Sequence, residues 1–140
     1  MDEADFTAQG WSALPTRAFS AAIGTIWVRG EPGACEVCLP CSDAVANDHM
    51  GMVHGGALMT FADIALGVVA VDAIGAPNCS TAQLQYHFAA GVKVGSLLMC
   101  RPEVVRKTRR MVFTRGLFRV GEETVGSADA IYNVFEPRAG

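Results

Sequence analysis

No basic stretch opens this chain. MDEADFTAQG is acidic and lacks the positively charged n-region of a secretory leader. A cytoplasmic protein is the resulting expectation. No apolar run reaches the roughly 18–20 uninterrupted residues that a membrane span needs. The longest is broken by Asp63 and Asp72, so no membrane partner is expected. No even set of cysteines is present, and five argue against a closed disulfide framework. Cys35-x-x-Cys38-x-x-Cys41 looks like part of an iron–sulfur ligand run, but no fourth ligand stands nearby and Cys100 before Arg101-Pro102 is a poor substitute. These thiols read as reduced and mostly buried, in and after a strand, with no metal. A positive balance is also missing: a net charge of −3 excludes a general nucleic-acid binder.

The chain of 140 residues is one domain by size. A chain this long buries about 70% of its unfolded surface, enough for a core. Hydrophobic residues make up 51% and mean hydropathy is +0.28, high for so small a protein, so part of the apolar surface is expected in subunit contacts. The most informative stretch is ALMTFADIALGVVAV, Ala57 to Val71, in which only Thr60 and Asp63 are polar. It is too long for a typical strand and apolar on every side, so it reads as a buried helix. A buried, unpaired carboxylate is costly, so Asp63 marks a site. His54-Gly55-Gly56, just upstream, suggests an anion site at the helix N-terminus. Six of the eleven basic residues cluster as Arg101, Arg106, Lys107, Arg109, Arg110 and Arg115. The patch is either a solvated hairpin turn or a grip on phosphates.

Residues 1–19 form a lead, a short helix or a flexible stretch ending near Pro15. Residues 20–136 form the single domain, and 137–140 a C-terminal tail. Ala22–Val28 is β-like, Gly30-Glu31-Pro32-Gly33 is a turn signal, and Cys35–Pro40 is a second strand. Ser42–Met52 reads as an irregular loop. The helix runs from about His54 to Asp72 and ends at Gly75-Ala76-Pro77-Asn78. Four strands follow: Thr81–Phe88, Ser96–Arg106, Arg110–Val120 and Thr124–Phe135, the last two joined at Gly121-Glu122-Glu123. In the first of them Ala82, Leu84, Tyr86 and Phe88 share one face, with Thr81, Gln83, Gln85 and His87 on the other. The order β-β-α-β-β-β-β predicts an α+β fold, one long apolar helix wrapped by a curved antiparallel sheet.

Asp48-x-x-Gly51-x-x-His54-Gly55-Gly56-(x)6-Asp63, with Thr81 opening a long strand, resembles the hotdog-fold acyl-CoA thioesterases. The branch is that of the phenylacetate-pathway thioesterase, the Arthrobacter-type 4-hydroxybenzoyl-CoA thioesterase and human thioesterase superfamily member 13. The resemblance covers roughly residues 20–136. It implies dimers pairing into tetramers and hydrolysis of a fatty or aromatic acyl-CoA without a metal or separate cofactor, CoA being part of the substrate. Asp63 matches the family's catalytic carboxylate and Gly55 the backbone N–H that polarises the thioester carbonyl. His54 matches the supporting imidazole and Thr81 the hydroxyl that positions water. The family usually has Asn six residues before the His. Here Asp48 holds that position and Asn47 precedes it; either one is a candidate for the role.

The chemistry agrees with this. Thioester hydrolysis needs an attacking oxygen, a base or nucleophilic carboxylate, and donors for the developing oxyanion. Asp63 supplies the carboxylate. Gly55 and Gly56 offer unpaired N–H groups at the positive end of a helix dipole, and lack the Cβ that would block approach. Arg106, Lys107, Arg109 and Arg110 suit the phosphates of CoA. Asp63 lies nine residues past His54, a helical rise of roughly 13 Å, so Gly55 and Asp63 of one chain cannot touch one thioester, and a symmetric dimer sharing the site is favoured. His49 and His87 read as structural or exposed. Two rival readings are a hotdog enoyl-CoA hydratase or dehydratase, and a non-catalytic acyl-CoA-binding domain.

Overall fold

A computed structural model describes residues 1–48 and 51–136. His49 and the tail 137–140 lie outside the described residues. Helix α1 spans Glu3–Ala8, strand β1 Ser12–Ala13, β2 Trp27–Glu31 and β3 Ala34–Pro40; helix α2 spans Gly55–Ile74. Strands β4 Cys79–Phe88, β5 Leu97–Cys100, β6 Glu103–Lys107, β7 Met111–Val120 and β8 Glu123–Val134 follow. They form one antiparallel sheet in the order β1-β2-β3-β5-β7-β8-β4, with β6 also paired to β7. The sheet curves around α2, which is the hotdog arrangement.

α2 begins at its N-cap His54 and ends at Gly75, whose φ of 84° is the left-handed conformation that stops a helix. Leu58, Phe61, Ala62, Ala65, Leu66, Val69 and Ala70 are buried. All but Val69 pack in one cluster with Val37, Leu39, Leu98, Val112 and Phe118 from the sheet. Phe61 meets Phe118 edge-to-face, with centroids 5.8 Å apart. One expectation needs correction here. By length and composition alone, this 20-residue helix is apolar enough to cross a membrane despite Asp63 and Asp72. In this fold it is the core helix, and its buried residues face the sheet.

The N-terminal lead packs onto the sheet. Asp2 and Asp5 form a reciprocal capping box on α1. Phe6 stacks on Trp27 at 4.7 Å, Trp11 lies edge-on to Phe6, and Arg29 sits 4.3 Å over the Trp11 ring. With Cys38 these aromatics form a second, smaller core.

Three strand expectations are revised. Ala18–Ile23 is a 3-10 helix ended by Gly24 at φ 102°, so the first hairpin strand starts only at Trp27. Ser96–Arg106 is not continuous. β5 and β6 share one register along β7, Cys100 opposite Phe118 and Glu103 opposite Arg115. The ladder breaks between them at Arg101-Pro102, where Pro102 has no N–H to donate. Third, the period-two reading of β4 fails at its start. Thr81 pairs with Tyr132 but Gln83 pairs with Ile131, a bulge at Ala82. Leu84 and Tyr86 face the helix, and the bulge turns Thr81 to that same face.

Candidate active site

The first turn of α2 sorts its backbone donors. His54 Nδ1 accepts the Gly56 N–H at 2.8 Å, so a neutral His54 ring carries its proton on Nε2. The His54 carbonyl accepts from Ala57 at 2.9 Å and from Leu58 at 3.2 Å. Among the described residues only the Gly55 N–H of this turn has no acceptor. Phe88 stands beside it: a Cβ on Gly55 would come within 3.3 Å of the Phe88 ring, which is 54% exposed and lies against Tyr86. A Cβ on Gly56 would meet His54 Nδ1 at 3.0 Å. Gly56, placed at the sequence level as a substrate-binding donor, therefore has its N–H committed to His54.

Asp63 projects from the middle of α2. It is half-buried rather than buried, and it is not unpaired. Thr81 Oγ1 donates to its Oδ1 at 2.6 Å, and Tyr132 Oη lies 3.3 Å from the same oxygen while donating to the Asp63 backbone carbonyl at 2.6 Å. Oδ2 has no hydrogen-bond partner among the described residues. The Thr81 hydroxyl has one proton and directs it at Asp63, so towards a water it acts as an acceptor. Burial, then the nearby Asp63 charge, pushes the Tyr132 phenol well above its ordinary range. Burial and Asp63 likewise raise the Cys79 thiol. The Asp63 carboxylate and the Gly55 N–H are eight residues apart on one helix, about 12 Å of rise, and do not meet within a chain.

Asn47 is half-buried and Asp48 exposed in the loop before α2, where the Asn47 N–H donates to the Met52 carbonyl at 2.8 Å. Of the basic cluster, Arg101 pairs with Glu36 at 3.4 Å and Arg115 with Glu103. Arg106, Lys107, Arg109 and Arg110 are exposed at the β6–β7 turn and make no ion pair among the described residues. Lys107, Val112, Tyr132 and Thr81 occupy one rung across four strands, so Lys107 leaves the sheet on the helix side, about 14 Å from Thr81.

Sequence reasoning did not find Tyr132, Cys79 or Phe88. Only the β4–β8 register brings Tyr132 to Asp63. His87 is exposed on the outer sheet face near Ser127 and Gln85. It lines a groove of about 870 Å³ with Arg115, Leu117, Arg119 and Asp129, a face that holds the Arg101–Glu36 and Arg115–Glu103 pairs but neither Asp63, Thr81 and Tyr132 nor the Gly55 N–H. Cys38 and Cys41, pushed up to about 12 and about 11 by burial, and Cys100, pushed up to about 12, are buried thiols. Among the described residues no group of His, Cys, Asp or Glu is placed to hold a metal.

The family model of the thioesterase superfamily matches residues 50–127. The protein named putative esterase PA0474 of Pseudomonas aeruginosa is 31% identical over 88 residues, 62% of this chain and 66% of its own length. This chain therefore spans just under two thirds of that relative. Zebra fish thioesterase superfamily member 2 has the same fold at a TM-score of 0.76 and 15% identity, over 86% of this chain and 88% of its own. So does smu.793 from Streptococcus mutans, solved bound to acetyl CoA, at a TM-score of 0.74 and 20% identity over 89% and 96%.

Proposed function

The chain belongs to the thioesterase superfamily, and on that premise we propose that it hydrolyses a fatty or aromatic acyl-CoA to the free acid and CoA. The observation that carries this reading is the state of Asp63, with Oδ1 held by Thr81 and Oδ2 free. A carboxylate fixed by one oxygen and open at the other is poised to take a proton from water or to attack the carbonyl carbon itself. In the first route, water adds to the thioester carbon while its proton passes to Oδ2. The carbonyl oxygen gathers charge against the Gly55 N–H, the C–S bond breaks, and the CoA thiolate leaves. An oxyanion donor of this kind contributes about 10²–10³ in rate. In the second route Asp63 attacks directly and water resolves the anhydride.

The two halves of this machinery come from two chains. Among the described residues β4 pairs only with β8, so ten residues present an open edge, which monomeric proteins avoid. β4 runs antiparallel to α2: Phe88 lies by Gly55, and Thr81 by Asp63. A second copy added two-fold along this edge brings Gly55 of each protomer towards Asp63 of its partner. The half-exposed face of α2, with Met59 and Thr60, is covered in the same step. Such dimers pair into tetramers on this reading. Arg106, Lys107, Arg109 and Arg110 hold the CoA phosphates, and acetyl CoA bound to the Streptococcus mutans relative supports a CoA ester as ligand.

A hotdog hydratase is a weaker fit, because it needs an imidazole free to exchange a proton, and His54 Nδ1 is engaged with Gly56. Thiol release over an acyl-CoA panel tests the proposal. Wild type should release thiol, and a folded Asp63→Asn should lose at least about 100-fold in kcat while still binding acyl-CoA. Near-wild-type turnover in Asp63→Asn, or hydration of crotonyl-CoA without thiol release, would overturn it.

A further inference from the structure

We infer that Tyr132 is a positioning residue for Asp63, fixing the carboxylate through a hydroxyl shared between the Asp63 backbone carbonyl and Oδ1. The inference rests on the reading of Asp63 as the hydrolytic carboxylate, and it adds a residue from β8, the strand beside β4. Tyr132 stands on β8, buried, and reaches back 69 residues to α2. Its one proton points at the carbonyl at 2.6 Å, with Oδ1 at 3.3 Å. The contact fastens both ends of one residue. The backbone at 63 cannot rotate within the helix, and the side chain cannot swing away without losing the donor at Oη as well as that of Thr81.

Gly67 leaves room for the arrangement. One turn after Asp63, it leaves the space into which the Tyr132 ring is laid. A Cβ there would stand 3.6 Å from Oη and 3.7 Å from the ring, so a methyl would make ordinary contact, and a branched side chain would add methyl groups against the phenol. The phenol stays a donor across the working pH range, because burial and the Asp63 charge both oppose its ionisation. Thr81 and Tyr132 are direct cross-strand partners, so one rung of the sheet delivers both hydroxyls to one carboxylate oxygen. That spends Oδ1 on structure and directs Oδ2 to the reactants.

The test compares wild type, Tyr132→Phe and Asp63→Asn by steady-state hydrolysis of acyl-CoA and by ¹³C NMR titration of the Asp63 carboxyl, assigned with Asp63→Asn. Tyr132→Phe keeps the ring and removes the hydroxyl. Its kcat should fall about 10-fold with KM changed less than about twofold, as expected for an interaction that orients a reacting group. The acidic limb of the kcat profile and the pH at which the Asp63 carboxyl titrates should both move up, because the anion has lost a donor. A purely structural tyrosine would lower thermal stability and move neither. Gly67→Val displaces the same hydroxyl with Tyr132 intact, so the two pH readouts remain available should Tyr132→Phe not fold. Unchanged acidic limb and carboxyl titration overturn the inference. Should the titration move in Tyr132→Phe while Asp63→Asn still turns over, the hold on the carboxylate stands and the hydrolytic role of Asp63 fails.

Discussion

The Thr81 hydroxyl donates to Asp63 Oδ1 at 2.6 Å across 18 residues of sequence, and the bond exists only because β4 bulges at Ala82. Without the extra residue, the alternation that sends Leu84 and Tyr86 to the helix would send Thr81 to the outer face. One inserted alanine thus decides which side of the sheet carries a hydroxyl.

Thr81→Val tests that bond, since it keeps the β-branched shape and removes the donor. A hydrogen bond to a charged group contributes about 1.5–3 kcal/mol, so kcat should fall between roughly 10- and 100-fold. The acidic limb of the pH profile should move up, because an unsupported carboxylate holds its proton more readily. Thr81→Ser should restore most of the activity. Equal activity in Thr81→Val and wild type would show that the bond serves packing alone.

Asp48 brings a second carboxylate to the loop before α2, where the family usually has an amide. Asp48→Asn should preserve or raise turnover. On the shared-site reading Asp48 lies on the side of the partner's Asp63, and removing its negative charge should shift the acidic limb to lower pH. A pH–rate profile of the two proteins decides it. A large loss of activity in Asp48→Asn would mean that the carboxylate itself is required.

Charge reversal of Arg106 with Arg109 or Arg110 should raise KM for acyl-CoA much more than it lowers kcat, since phosphate contacts bind ground and transition states alike. The exposure of these side chains and their lack of ion pairs make the fold indifferent to the change. Acyl-pantetheine, which lacks those phosphates, should show little effect. Equal losses for both substrates would place the phosphates elsewhere.

Local signals made much of this legible. The apolar run, His-Gly-Gly and Gly75 mark α2 to within two residues at its far end, and Gly30 to Gly33 mark the first hairpin. What escaped depends on register and on distant contacts. No glycine or proline flags the bulge at Ala82, so period two carried Thr81 to the wrong face. Tyr132 is one residue of a long strand until β4 and β8 align it with Thr81. Pro102 was in plain view, but the strand resumes beyond it in the same register, and continuity of pattern hid the break. The stacking of Phe6 on Trp27 joins a short N-terminal helix to a strand whose start was itself misplaced.

The shared site can be tested by complementation. Gly55 and Asp63 are separated by about 12 Å along one helix, too far to serve one carbonyl. Each site should then draw its carboxylate from one protomer and its donor from the other. Asp63→Asn removes the first and Gly55→Pro the second. Proline is tolerated in the first turn of a helix, where its missing N–H breaks no helical bond. His54, at φ −63° and ψ 135°, already has the extended conformation that a residue before proline adopts. Phe88 must yield slightly, since a Cβ at position 55 sits 3.3 Å from its ring, and its exposed edge leaves it room to do so. Each homodimer should be inactive. In the co-expressed heterodimer one site carries both lesions and the other carries none, so activity should return to roughly half of wild type per dimer. A folded heterodimer without recovered thiol release would mean that both groups act within one chain or that hydrolysis takes place elsewhere.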